Sequence, residues 1–211
     1  LEILNTFTRM YGGTVGRDAV SEFISQTGNY AVKGADALRT APQKYMSSVE
    51  YDANPLSQSL KDAAQVMFAD LGTRVFYAQH GSFDTHGGEL PVHATLWSEV
   101  ASAVGDFTDD LKEHGRYDNT LILMFSEFGR RIKDNGSGTD HGSGGVAFCI
   151  GGAVEGGFYG EYPSLKEQNQ VDGDLRFNND FRETYSTILD RWLGLDPVQI
   201  VNGHFEQFSF I

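Results

Sequence analysis

Asn119-Thr120-Leu121-Ile122-Leu123-Met124-Phe125-Ser126-Glu127-Phe128-Gly129 is the stretch on which the reading of this chain turns. Five apolar residues in a row, bounded by turn signals, predict a short central strand over Leu121 to Phe125, covered on both faces. The strand breaks off at a carboxylate, Glu127. A carboxylate rarely sits at the end of a buried strand without a partner. Its expected partner is a metal ion, or else Arg130 or Arg131 as an ion pair. Ser126, beside it, is a further candidate ligand or loop hydrogen-bonding group.

Working outward, Gly138-Thr139-Asp140-His141-Gly142 lies downstream and Gly81-Ser82-Phe83-Asp84-Thr85-His86 upstream. Asp84 and His86 are two apart, so in an extended segment their side chains leave on the same side. His141 stands between glycines that allow close backbone approach, and Asp140 is placed to orient or supplement its imidazole. Oxygen and neutral imidazole donors gathered at strand ends are the set a divalent metal of intermediate hardness requires. The expected ligands are Asp84, His86, Glu127 and His141, with zinc first and manganese or calcium as alternatives. His80 is an alternative ligand, and His93 is expected near the start of the following helix in a structural role. Arg130 is expected to hold an anionic substrate group by a bidentate contact.

The rest of the chain supplies the frame. Leu1, Leu4 and Phe7, then Val20, Phe23 and Ile24, form short apolar stripes in a lead-in of irregular helices up to about residue 50. Asn54 is an expected N-cap with Pro55 in the first turn of a helix that buries Leu56, Leu60, Ala63, Ala64, Met67 and Phe68 and stops by Gly72. Thr73 to Gln79 reads as a strand. A second helix carries Leu96, Val100, Val104, Phe107 and Leu111 and ends at Gly115. A glycine-rich loop is expected from Gly129 to Gly145, a strand over Val146 to Ile150, and a last helix with Phe181, Tyr185, Ile188, Leu189 and Trp192 on one face up to Gly194. Alternating strands and helices predict a layered α/β domain whose site lies at the carboxyl ends of its strands.

Composition narrows the function. The chain has 211 residues, 40% apolar and 12% aromatic, enough for one core, and it is read as a single domain with its motif-bearing part over 51–195 and a tail over 196–211. Net charge is −13, from 16 basic and 29 acidic residues. The basic residues are scattered, so no footprint for a phosphate backbone exists and nucleic-acid binding is not expected. No apolar run approaches the ~18 residues of a membrane-spanning helix, and no signal segment is visible. Because residue 1 is leucine, the chain is expected to be a processed product or a piece of a longer one. The lone Cys149 lies in an apolar run and reads as a small hydrophobe rather than a nucleophile. Neither glycine-rich stretch carries the Gly-Lys-Ser/Thr of a phosphate loop, and Ser143 lacks the Gly-x-Ser-x-Gly elbow of a serine hydrolase.

At Gly81 to His86, Phe125 to Arg130, Asn135 to Gly142 and Gly156-Gly157-Phe158-Tyr159-Gly160-Glu161-Tyr162-Pro163, with weaker support from Asp180 to Tyr185 and Trp192 to Gly194, the chain resembles bacterial domain-of-unknown-function family 1501 of the alkaline phosphatase and sulfatase superfamily. That resemblance implies a three-layer α/β/α sandwich, alkaline phosphatase-like, and a two-metal centre acting on phosphate or sulfate esters, carbohydrate esters among them. It also implies an exported protein. Asp84, His86 and His141 match ligands of one metal. Glu127 and Phe128 stand where many members carry an aspartate and a histidine, so the second metal has lost a ligand. The superfamily's nucleophile belongs to an amino-terminal half that nothing before Tyr51 resembles, and this chain resembles the carboxyl-terminal half. A non-catalytic binding or structural member is the alternative.

Overall fold

A computed structural model describes residues 19–211 together with Thr6 and Arg9. The stripe expected at Leu1, Leu4 and Phe7 lies outside the described residues. The chain is mixed α/β and divides into two compact units, Leu1–Gln79 and His80–Ile211.

In the first unit the described part of the lead-in from residue 19 on forms one long helix, α1 (Ala19–Lys44). Its apolar residues Val20, Phe23 and Ile24 are exposed, while Ser25, Gly28 and Ala41 are buried. Helix α2 (Pro55–Phe68) begins as its sequence dictates: the Asn54 side chain accepts a hydrogen bond from the Ser57 amide at 2.9 Å, and Pro55 opens the first turn. It packs on α1, with Leu56 and Ala64 fully covered and Tyr45 stacked on Phe68 at 6.0 Å. The strand expected at Thr73–Gln79 is absent. Those residues have no ladder partner among the described residues, and Val75 and Tyr77 are exposed. Alternating β-branched and aromatic residues suit a strand, but only a neighbour's backbone makes one.

The second unit is built on α3 (Glu89–Glu113), whose Leu96, Val100, Ala103, Phe107 and Leu111 form the buried stripe. Each leucine, valine or phenylalanine of that stripe contributes about 1.5–3 kcal/mol when fully covered. The helix ends at His114, and Gly115 follows with φ +63°, a left-handed position suited to glycine. Strand β1 (Ile122–Met124) pairs antiparallel with β4 (Phe148–Ile150), Leu123 opposite Cys149. Met124, Phe148 and Ile150 line a groove with Trp97, Val100 and Val104 of α3. The expectation of a fully covered central strand is corrected here: β1 is half-buried throughout, and Phe125 beyond it is exposed. Among the described residues its one partner is β4.

The glycine-rich stretch expected as a loop is instead a hairpin of β2 (Gly129–Asp134) and β3 (Thr139–Gly142), Arg130 opposite His141. Its turn is tied by Asn135, whose side-chain oxygen accepts from the amides of Ser137 and Gly138, both at 3.1 Å. Helix α4 (Phe181–Thr187) is capped by Asp180, runs on through a wider π turn at Ile188–Trp192, and gives way near Gly194. Here Ser186 and Thr187 are buried; of the apolar face read from the sequence, Tyr185, Ile188, Leu189 and Trp192 are half-buried and Phe181 is exposed. After α5 (Val198–Val201), the tail docks through the Glu155 amide, which donates to the Phe210 carbonyl at 2.8 Å, and through buried Phe210.

Candidate metal centre

Three of the four expected ligands come together. Asp84 Oδ1 lies 2.6 Å from His141 Nε2 and 3.3 Å from His86 Nδ1, and one ligand atom from each of the three lies within 4.8 Å of the others. Two of them come from the loop before α3 and the third from β3, so the cluster forms only when the hairpin folds against that loop. Asp84 and His86 stand close together in a loop that turns at Asp84, where the Thr85 amide donates to the Phe83 carbonyl at 2.9 Å, rather than in the extended segment expected. All three side chains are exposed, between 43% and 64%. The hydrogen bond from His141 holds the Asp84 carboxyl below its usual range; burial opposes it, and the charges of His141, His86 and Arg130 add to the lowering.

The donor set fits a divalent ion on chemical grounds. One carboxylate and two imidazoles are a ligand set used by catalytic zinc and by other first-row metals, with positions left open for solvent or substrate. Ligands held tetrahedrally at about 2.0–2.1 Å from zinc stand roughly 3.3 Å apart, which is the Asp84–His86 separation. The shorter Asp84–His141 contact is a hydrogen bond that an ion between them would replace.

The fourth expected ligand is elsewhere. Glu127 is exposed, stands outside the cluster, and forms no ion pair with Arg130 or Arg131. Asp140 also turns away from the imidazole, because neighbouring residues of a strand point to opposite faces, and its Oδ1 accepts from Asn135 Nδ2 at 3.2 Å. Ser126 Oγ accepts a weak bond from the Phe128 amide at 3.4 Å. His80 binds Glu99 of α3 at 2.9 Å. His93, on α3 as expected, contacts Thr85 Oγ1 at 2.9 Å. Cys149 is half-buried, and burial pushes its thiol up, away from nucleophile behaviour.

Arg130 is the main departure. Rather than facing an open anion site, its Nη1 donates to the Thr85 and Thr139 carbonyls, both at 2.6 Å. Its Nη2 donates to the Phe83 carbonyl and, at 3.2 Å, to Thr85 Oγ1. Its Nε faces Glu89 Oε1 at 3.8 Å. Glu89 in turn accepts from the Thr139 amide at 2.5 Å and from the Thr139 hydroxyl at 2.8 Å. Burial pushes the Glu89 carboxyl up, yet the Thr139 bonds, helped by Arg130 and His93, bring it below its ordinary value. Sequence reasoning missed Glu89 because it reads as an ordinary first-turn acid of a helix.

Phe128 also has a defined place. Its ring lies flat on His141, centroids 3.8 Å apart and planes 7° from parallel, with the Arg130 guanidinium 5.2 Å from its centroid.

No curated protein and no solved structure matches this chain. The sequence model of the family described as "Protein of unknown function (DUF1501)" matches residues 20–207, nearly the whole chain and every motif above. The chain therefore belongs to the DUF1501 family.

Proposed function

We propose that Asp84, His86 and His141 hold one divalent metal, zinc first and manganese or calcium as alternatives, in a hydrolase of phosphate or sulfate esters. The observation that carries this reading is the convergence of three metal-competent donors from two separate segments within 4.8 Å. When bound, such an ion supplies Lewis-acid polarisation of an ester oxygen and activation of a nucleophile. The protein's part is to present Asp84 and His86 from one loop and His141 from β3, all open to solvent so that a substrate oxygen can approach. The motif resemblance supports an alkaline phosphatase-like, exported protein of which this chain forms the carboxyl-terminal part. On that proposal the two small antiparallel sheets belong to a larger three-layer sandwich.

A second reading, a non-catalytic binding or structural member, is favoured by Phe128. Its apolar ring covers one face of His141, at the position where the superfamily resemblance implies a histidine ligand. Elemental analysis of the purified chain and of His141→Ala tests the metal. Hydrolysis of p-nitrophenyl phosphate and sulfate, with added zinc, manganese or calcium, tests the reaction, comparing this chain with a longer one that extends upstream. We expect the metal to copurify or load at one ion per chain, lost in His141→Ala, and turnover to need the longer chain. Metal-dependent turnover by the short chain that Ser126→Ala abolishes would put the nucleophile at Ser126. An absence of metal from both proteins would sink the centre.

A further inference from the structure

We infer that Arg130, held by Glu89, is a positioning residue that presets both ligand-bearing segments of the metal centre; this rests on reading Asp84, His86 and His141 as that centre. The argument is geometric. The carbonyls that Arg130 grips belong to Phe83 and Thr85, the two neighbours of Asp84, and to Thr139, two residues before His141 on the same face of β3. One guanidinium thus fastens the Asp84–His86 loop to the strand that carries His141. Glu89, on the first turn of α3, fastens Thr139 a second time through its amide and hydroxyl and faces Arg130 Nε.

These two side chains are among the better covered ionic groups near the cluster, Arg130 20% and Glu89 14% exposed, whereas the ligands themselves are open to water. Covered charges with every donor directed at an acceptor hold a geometry; exposed side chains on loops do not hold themselves. Asp84 and His86 sit in a loop with no ladder partner, and Ser82 just before them has φ +71°. Their convergence on His141 therefore depends on contacts that cross from loop to hairpin: Asn135 Nδ2 and Ser137 Oγ donate to the His86 carbonyl at 3.2 and 3.5 Å, and Arg130 makes the contacts on either side of Asp84. Lysine cannot substitute, because a single ammonium has three donors on one point and no planar fork to reach carbonyls in two segments.

The test uses the whole chain with Arg130→Met, Arg130→Lys, Glu89→Gln and, as a control on the neighbouring exposed position of β2, Arg131→Met. Zinc affinity is measured by competition with a chromophoric chelator, the visible spectrum is recorded at cobalt saturation, and the melting temperature of each metal-free protein is taken separately. Arg130→Met and Arg130→Lys are expected to weaken zinc binding by about 10–100-fold and to shift the cobalt bands. Glu89→Gln should move both in the same direction by a smaller factor, and Arg131→Met neither. Should Arg130→Met fail to fold, Arg130→Lys and Glu89→Gln decide the matter. Wild-type zinc affinity and cobalt bands in those variants, even with a lowered metal-free melting temperature, would make the clamp a matter of stability alone and overturn the inference. If the wild-type chain takes up neither zinc nor cobalt, the centre itself is refuted and the inference falls with it.

Discussion

Arg130 and His141 stand directly opposite each other in the β2–β3 ladder, and their side chains leave the hairpin on one face. There they divide the work. His141 reaches Asp84 at 2.6 Å, while Arg130 ties down the backbone on either side of that same aspartate. The ligand and its support are thus a cross-strand pair, so a shift of one residue in the hairpin register would separate both from the loop.

A chelator should lower the melting temperature of the wild-type chain and leave His141→Ala unchanged. An ion present at a hundred times its dissociation constant adds about 2.7 kcal/mol to folding, worth roughly 2–4 °C per kcal/mol in a chain of this length. Paired melts with and without chelator measure it. An equal response of both proteins would place the chelator's target elsewhere.

Phe128→His should tighten metal binding. The Phe128 ring already lies 3.8 Å from the His141 ring, so an imidazole there brings a fourth donor beside the cluster and completes the usual tetrahedral number. A gain of roughly tenfold or more in zinc affinity, about 1.4 kcal/mol, is the expected result by competition titration. Unchanged affinity with a folded protein would mean that the stacked ring cannot turn a nitrogen toward the ion.

Glycines at the hairpin and in α3 should respond oppositely to alanine. A Cβ on Gly129 would lie 1.7 Å from the Gly144 carbonyl oxygen, and one on Gly142 2.6 Å from the Arg130 carbonyl carbon. Both neighbours are backbone, so these substitutions should cost about 1–3 kcal/mol or more, Gly129→Ala the larger. Gly105 in the middle of α3 meets nothing within 4 Å, and Gly105→Ala should stabilise by about 0.4–1 kcal/mol. Urea unfolding of the three variants gives the order. A stable Gly129→Ala would contradict the close strand approach.

Acid should weaken the cap of α4 in a defined window. Asp180 accepts from the Arg182 amide and side chain, at 2.7–2.9 Å, and the Arg182 side chain and amide together hold its carboxyl down at about 2 from an ordinary 3.8. A carboxyl depressed in the folded state stabilises fully above its unfolded value and loses that contribution as pH falls through its folded one. The loss therefore belongs between about pH 4 and pH 2. Asp180→Asn should be less stable than wild type at neutral pH, with the gap closing over that window, and Asp180→Ala should cost about 0.5–2 kcal/mol as a lost cap. A gap that stays constant from pH 6 to pH 2 would show that the carboxylate charge plays no part.

What the sequence determined by itself was local. Asn54 and Pro55 start α2, and the spacing of Leu96, Val100, Phe107 and Leu111 makes α3; each depends on residues a few positions away. Three of the residues that meet were legible too: Asp84, His86 and His141 were each named from their motifs and stand within 4.8 Å of one another. Tertiary structure decided the rest. Thr73–Gln79 has the pattern of a strand and no partner among the described residues to make it one, and the glycine-rich stretch closed as a hairpin because Asn135 could bond its own turn. Glu127 looked as much like a ligand as His141 did, and Asp140 looked placed to orient it. Only the pairing of β2 with β3 turned His141 toward Asp84, left Asp140 on the other face and committed Arg130 to the backbone. Which side chains meet across such sequence separations depends on strand register and on where a loop lands, and neither is encoded in the identity of the residues that meet.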